Sequence, residues 1–332
     1  VPRVHLANPK GNKQEIENLI IQAEGKGVEV IVFPELCITG YTCGDLFSQQ
    51  LLLEEAELAL VTLLDFTRSL QITSIVGLPV AWNGRLLNCA AIIQKGRLLA
   101  LVPKTFIPNY KEFYEMRWFH SGAGIHDEEI MFCGSPAPLS TNVVVNTPSC
   151  SFGVEICEDL WSVIPPSSHL AARGADIIFN LSASNSLIGK RQYLESLIAQ
   201  QSARCICGYV YASCGFGEST QDVVFGGKAM IYENGTLLAA TPLNTIEEQL
   251  IISEIDVERL RAERRVNTTF AATPTAQGKT LEVATELFVP REVELTRTVN
   301  PMPFVPTGKA LEERCEEIFA IQTEALARRL VH

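Results

Sequence analysis

The chain has 332 residues, 47% hydrophobic and 20% charged, the proportions of a folded globular protein and not of a disordered or fibrous one. A chain of this length buries roughly three-quarters of its unfolded surface, so its core needs no disulfide or metal staple. The net charge of -11 argues against a broad basic face for nucleic acid, and no apolar run approaches the roughly 18 to 20 residues of a membrane-spanning helix. Neither a nucleic-acid nor a membrane partner is expected.

The ten cysteines lie mostly inside apolar runs (Cys89, Cys150, Cys205, Cys207, Cys214) and form no C-x-x-C pair. They read as buried free thiols of a reducing cytoplasm. His5, His120, His126, His169 and His332 show no metal-ligand spacing, so no metal site is expected. The opening, Val1-Pro2-Arg3-Val4, lacks the basic and apolar segments of a secretory signal. It is already strand-like and has no initiator methionine, which points to a piece of a longer protein.

In chain order, helical spacing over Lys13–Ala23 precedes an apolar run at Val28–Phe33. A second helix over Gln50–Leu70 leads into strands at Ile72–Leu78, Cys89–Ile93 and Leu98–Val102. Farther on, strands at Phe152–Ile156, Ala175–Leu181, Cys207–Ala212 and Leu250–Ile255 accompany helices at Leu160–Ala172 and Lys190–Arg204. Alternation of this kind predicts an α/β fold. Asn83-Gly84, Lys95-Gly96 and Glu233-Asn234-Gly235 predict tight hairpin turns, hence antiparallel pairs within mixed sheets.

Residues 1–264 thus form the expected main domain. Over 265–306, threonine, proline and charge predominate, which predicts an extended arm and a Pro-rich linker, Pro301–Pro306. Over 307–332 a helix is expected, with Leu311, Cys315, Ile318, Leu326 and Leu330 near one face. It reads either as the start of a further domain or as a docking helix.

Three residues follow three strands. Glu35 comes one proline after Val30-Ile31-Val32-Phe33, Lys104 one proline after Leu98-Leu99-Ala100-Leu101-Val102, and Cys157 ends Phe152-Gly153-Val154-Glu155-Ile156. The carboxyl ends of strands are where ligands and chemistry collect in open α/β folds. Each residue alone has an ordinary reading, as a capping carboxylate, an edge charge and a packed thiol; together they offer a base, an ammonium and a nucleophile. Cys157 is expected at a strand-to-helix turn, where a helix N-terminus and an ammonium would lower its thiol from about 8.5 and the Glu158 N–H would face an oxyanion.

Phe33-Pro34-Glu35-Leu36-Cys37-Ile38-Thr39-Gly40-Tyr41, Pro103-Lys104 and the Cys157 segment resemble the three signature blocks of the nitrilase superfamily of carbon–nitrogen hydrolases. More narrowly, several blocks resemble the amidase half of the glutamine-dependent NAD synthetase family. These are Lys104-Thr105-Phe106-Ile107-Pro108-Asn109-Tyr110-Lys111-Glu112-Phe113-Tyr114-Glu115, Ile156-Cys157-Glu158-Asp159-Leu160-Trp161, Asn180-Leu181-Ser182-Ala183-Ser184 and Gln221-Asp222-Val223-Val224-Phe225-Gly226-Gly227. The resemblance implies a nitrilase-like αββα sandwich with mixed sheets. It also implies hydrolysis of L-glutamine through a Cys157 thioester, with Glu35 as base and Lys104 as charge stabiliser. Glu115 would be the second glutamate, with Glu112 its rival. Glu158 and Tyr110 would meet the substrate ammonium, Ser184 its carboxylate, and Tyr41, Phe113 and Trp161 would shape the pocket. Arg191 is a further carboxylate candidate, or a helix-surface residue.

The same resemblance implies a homo-oligomer and a synthetase domain that receives the ammonia. No Ser-Gly-Gly-x-Asp loop is present, so ATP and Mg are expected only in that missing domain and no cofactor serves the amide reaction. A stand-alone ω-amidase or aliphatic amidase shares the three residues without needing Glu158 and Tyr110. A non-catalytic module needs none of them.

Overall fold

The computed structural model describes residues 1–242, 245–275, 279–286, 295–299, 301–302, 305 and 311–331. They divide into two compact units, Val1–Glu294 and Leu295–His332. The first unit runs α1 (Pro9–Gly25), β1 (Val30–Val32), α2 (Gln50–Thr67), β2 (Thr73–Trp82), β3 (Arg85–Gln94) and β4 (Arg97–Pro103). A small hairpin of β5 (Asn109–Tyr110) and β6 (Phe113–Tyr114) follows, then β7 (Glu128–Phe132), β8 (Ser135–Leu139), β9 (Val143–Asn146) and β10 (Ser151–Ile156). Next come α3 (Pro166–Ala172), β11 (Ile177–Ser182), α4 (Lys190–Arg204), β12 (Gly208–Ser213), β13 (Ala229–Glu233) and β14 (Thr236–Ala240). The unit ends with α5 (Val257–Val266), α6 (Thr268–Ala271) and β15 (Leu281–Ala284). The second unit holds α7 (Leu311–Leu330).

Two large mixed sheets form the centre, in the orders β1-β2-β3-β4-β8-β7 and β14-β13-β12-β11-β10-β9-β15. The turns at Asn83-Gly84, Lys95-Gly96 and Asn234-Gly235 all carry positive φ at both positions, the geometry whose twist suits a two-residue hairpin. They join β2–β3, β3–β4 and β13–β14 as antiparallel pairs. By contrast β1–β2, β10–β11 and β11–β12 are parallel.

Three apolar layers explain the stacking. Ile16, Leu19, Ile20 and Ala23 of α1, spaced for one helix face, pack with Leu60 and Leu63 of α2 on the outer side of the first sheet. Ile92, Leu99 and Val102 meet Val145, Phe152 and Phe179 between the sheets. Leu170 of α3 and Leu194 and Ile198 of α4 cover the outer side of the second sheet. The result is the expected αββα sandwich, and each fully buried Leu or Ile contributes about 1.5–3 kcal/mol to it.

Three expectations need correcting. The helix expected over Leu160–Ala172 is broken: Cys157–Trp161 is a five-residue 3₁₀ turn, and α3 begins only at Pro166. Pro165-Pro166 interrupts it, because proline disfavours helical backbone in the residue before it and offers no N–H. Leu250–Ile255 forms no strand; its residues run half-buried as irregular backbone. The arm expected from residue 265 contributes in part to the sandwich, since β15 pairs in parallel with β9. Residues 276–278, 287–294 and 300 of that arm and linker residues 303, 304 and 306 lie outside the described residues, as do 307–310 before α7. No described helix is long and apolar enough to cross a membrane.

Candidate active site

The three strand-end residues converge. Lys104 leaves β4 fully buried, and its Nζ donates to Glu35 Oε1 at 2.6 Å and to Glu115 Oε1 and Oε2 at 2.9 and 2.8 Å. Burial by itself would strip the proton from the ammonium, but the Glu115 and Glu35 carboxylates hold its pKa well above the usual lysine value. Of the two candidate glutamates, Glu115 is thus the one that pairs with Lys104. Glu112, its rival, turns instead to Asn185, whose Nδ2 donates to it at 2.7 Å.

Glu35 sits in a loop that must pass close to β2. A Cβ on Gly77 would lie 2.4 Å from the Leu36 nitrogen, so glycine there permits the approach. The Glu35 N–H reaches the Ser182 carbonyl of β11 at 3.3 Å, tying this loop to the second sheet. Its Oε1 accepts from both Lys104 and Asn88 Nδ2, the latter at 2.6 Å. Its Oε2 is buried and has no hydrogen-bond partner. A carboxylate with one oxygen doubly engaged and the other open is oriented to receive a proton.

Glu115 is set by three influences beyond burial. Burial raises its pKa, the Lys104 ammonium opposes this, and the Glu35 charge reinforces it; the Tyr41 hydroxyl, donating at 2.7 Å, again opposes it. The balance lies at about 7.

Cys157 is buried and starts its turn with φ +48, a left-handed conformation costly for a residue with a Cβ. The thiol is not acidified as the sequence suggested. No α-helix begins here to supply a dipole, and burial followed by the Glu35 charge pushes its pKa up, with Lys104 opposing. The resting group is a neutral thiol beside a buried carboxylate, so it needs a base.

The remaining expected residues form an outer ring. The Tyr110 hydroxyl donates to Glu158 Oε1 at 2.6 Å at the exposed mouth. Trp161 stacks on Tyr193 with centroids 5.5 Å apart. The Ser184 N–H donates to Ser213 Oγ at 2.9 Å. A cavity of about 150 Å³ opens beside Glu115, walled by Tyr41, Glu112, Phe113 and Phe225. Cys157 does not line it, so the cavity flanks the nucleophile without enclosing it.

Arg191 is not brought to this ring: it pairs with Glu195 one turn along α4, on the exposed face, at 2.8 Å. Its neighbour Lys190 turns inward instead. Lys190 Nζ lies 5.3 Å from the Trp161 ring and 5.8 Å from that of Phe113, and donates to Asn185 Oδ1. Burial lowers its pKa, and the Glu112 and Glu158 charges oppose this. Adjacent helical residues point about 100° apart, so composition could not say which of the two faced in. Asn88 also escaped the sequence reading, although a polar residue inside the run Leu86-Leu87-Asn88-Cys89-Ala90 was a usable signal.

Residues 4–265 match the Carbon-nitrogen hydrolase family model. The chain is 34% identical to a glutamine-dependent NAD(+) synthetase of Mycobacterium leprae over 337 residues, 98% of this chain and 49% of the relative. It therefore spans about half the length of the curated relatives it matches. Its fold is similar to that of a glutamine-dependent NAD(+) synthetase from Cytophaga hutchinsonii, with TM-score 0.65 and 28% identity, covering 73% of this chain and 40% of that one. A carbon–nitrogen hydrolase from Helicobacter pylori shares the fold at TM-score 0.64 and 21% identity, over 82% of this chain and 93% of that one. With a carboxylate, an ammonium and a thiol brought together at the ends of strands from two stacked sheets, the chain belongs to the carbon–nitrogen hydrolase family.

Proposed function

We propose that this chain hydrolyses the side-chain amide of L-glutamine and supplies the ammonia to an ATP-dependent synthetase domain that amidates deamido-NAD to NAD. The unpartnered Glu35 Oε2, on a carboxylate close enough to push the Cys157 thiol pKa up, carries the chemical part of this reading. Glu35 takes the thiol proton as sulfur attacks the carboxamide carbon. Lys104 and the Glu158 backbone N–H hold the tetrahedral oxyanion. Glu35 returns the proton to nitrogen, the C–N bond breaks and ammonia leaves. A water then gives a proton to Glu35 and adds to the thioester, releasing glutamate and restoring the thiol. The relatives' names support the role in NAD synthesis.

Glutamine differs from a plain amide by its α-ammonium and α-carboxylate. The Glu158–Tyr110 pair suits the first, and Lys190, with Ser184, suits the second. Ammonia release from glutamine, asparagine and propionamide tests this directly: glutamine should be favoured by about 100-fold or more in kcat/KM, as sites with buried polar recognition discriminate. Equal rates on all three would overturn the glutamine reading. Lys190→Met should raise KM for glutamine by about 10- to 100-fold, the loss of a charge-assisted hydrogen bond of about 1.5–3 kcal/mol, and leave propionamide turnover within twofold of its starting value. Parallel losses on both substrates would place Lys190 in the chemistry instead.

Tyr41→Phe tests the ionic cluster. The lost hydroxyl favoured ionised Glu115, so the Glu115 pKa climbs further above its usual range. A protonated Glu115 grips Lys104 less well. The acid limb of the rate profile should therefore move upward by up to about one pH unit, with about tenfold lost activity on that side. An unmoved limb would detach Tyr41 from Glu115.

A further inference from the structure

Asp159 stands two residues after Cys157, fully buried between the strand end that carries Lys104 and the turn that carries the nucleophile. Its Oδ1 accepts the N–H of Phe106 at 2.8 Å and of Thr105 at 3.1 Å. Its Oδ2 accepts the N–H of Ile156 at 3.0 Å. Thr105 directly follows Lys104, and Ile156 directly precedes Cys157. One planar carboxylate thus grips the backbone next to each of two reacting groups.

Those two backbones belong to different sheets. Lys104 leaves β4 of the first sheet and Cys157 leaves β10 of the second. Between the sheets the packing is largely of apolar side chains, such as Leu99, Val102, Phe152 and Ile156. Apolar contact is non-directional and does not by itself fix which atoms face one another. Hydrogen bonds are directional, and those to an ionised carboxylate are roughly twice as strong as neutral ones. Burial pushes the Asp159 pKa up to about 8, with the Ile156 N–H opposing, so the full set of bonds to both oxygens belongs to the ionised form above that pH. Misplacement of about 1 Å at a reacting centre can cost about 100-fold in rate.

We propose that Asp159 is a positioning residue for the amide hydrolysis, fixing the spacing of Lys104 and Cys157 through backbone hydrogen bonds that cross from one sheet to the other. The inference rests on Cys157 as nucleophile and Lys104 as its stabilising cation; it does not depend on glutamine being the substrate.

Asparagine is the informative replacement. It keeps the shape of aspartate but has one acceptor oxygen, the other becoming a donor. It can therefore accept from the Lys104 side or from Ile156, and it turns a donor toward an N–H on the other side. The Lys104 ammonium opposes the rise in the Cys157 pKa, so a cation set farther off leaves a less reactive thiol. A merely loosened fold has the opposite effect, because a better exposed thiol reacts faster.

The test is the rate of Cys157 alkylation by iodoacetamide at pH 9, where Asp159 is ionised, read by mass spectrometry of the Cys157 peptide, alongside kcat and KM for amide hydrolysis. Asp159→Asn should slow alkylation by about tenfold, the equivalent of one pKa unit. It should lower kcat by at least that factor with KM within about twofold. Combined with Lys104→Met, it should add nothing to the slowing that Lys104→Met causes alone. Unchanged or faster alkylation, or effects that multiply in the double variant, would overturn the proposal. Phe106→Pro, which deletes one donor on the Lys104 side alone, should act in the same direction and serves if Asp159→Asn does not fold. Failure of the glutamine assay with slowed alkylation would count against the substrate and not against Asp159; normal glutamine turnover in Asp159→Asn would count against Asp159 alone.

Discussion

Cys157→Ala is expected to reduce amide hydrolysis by about 10⁴-fold or more, as the loss of a covalent nucleophile does in hydrolases of this kind. The fold should survive, because one buried sulfur is lost from a site whose backbone is held by the Ile156, Thr105 and Phe106 hydrogen bonds to Asp159. Removing a single buried heavy atom costs on the order of 1 kcal/mol. Ammonia release and the melting temperature check the two halves of the expectation, and glutamine should still raise the melting temperature of the variant. Ammonia release within tenfold of the unmodified chain would remove Cys157 from the role of nucleophile.

Lys104→Met should damage both activity and folding. It deletes the cation expected at the oxyanion, for which about 10²- to 10³-fold is a usual loss. It also leaves Glu35 and Glu115 buried without their shared counter-charge. Breaking a buried ion cluster from one side costs about 3–5 kcal/mol. The sign of the pH dependence follows from Glu115, whose folded-state pKa is already raised to about 7 and rises further without Lys104. A carboxyl with a raised folded pKa binds its proton more tightly folded than unfolded. Stability is thus regained as pH falls through the raised value toward the unfolded carboxylate range, and the loss is greatest above pH 7. Urea midpoints at pH 8 and pH 5.5 should show the variant closing much of its gap to the parent at the lower pH. A gap of equal size at both would mean that the triad is not electrostatically stressed.

What could be read ahead of the structure depended on the kind of signal involved. Glu35, Lys104 and Cys157 were legible because each interrupts an apolar run at its end, where a strand stops and side chains gather. The central strands were legible for the same reason, since β2, β3 and β10–β12 are buried over most of their length. β7 escaped because only one of its five residues is buried, as befits an edge strand. The run Leu250–Ile255 misled because apolar residues can be half-covered without joining a ladder. The thiol environment misled more seriously. A strand-to-helix turn was expected to acidify Cys157, but proline at 165 and 166 postponed the helix, and burial among carboxylates took over. Choosing Lys190 over Arg191, or Glu115 over Glu112, required knowing which way a side chain faced, which depends on tertiary packing.

The strand β15 carries a consequence for where this folded body ends. Its Leu281 and Val283 reach the layer between the sheets, while Glu282 faces outward. It lies on the outer edge of β9, whose Val143-Val144-Val145 would otherwise present an uncovered row of backbone donors and acceptors in an apolar strand. Such an edge is a template for pairing with another chain. The match to the carbon–nitrogen hydrolase family ends at residue 265, sixteen residues before β15 begins at 281, although the likeness to the Mycobacterium leprae relative covers 98% of the chain. A chain trimmed to that family boundary would keep every reacting group and lose its guard against edge-to-edge aggregation, so colloidal stability reaches farther along this chain than the hydrolase family match does.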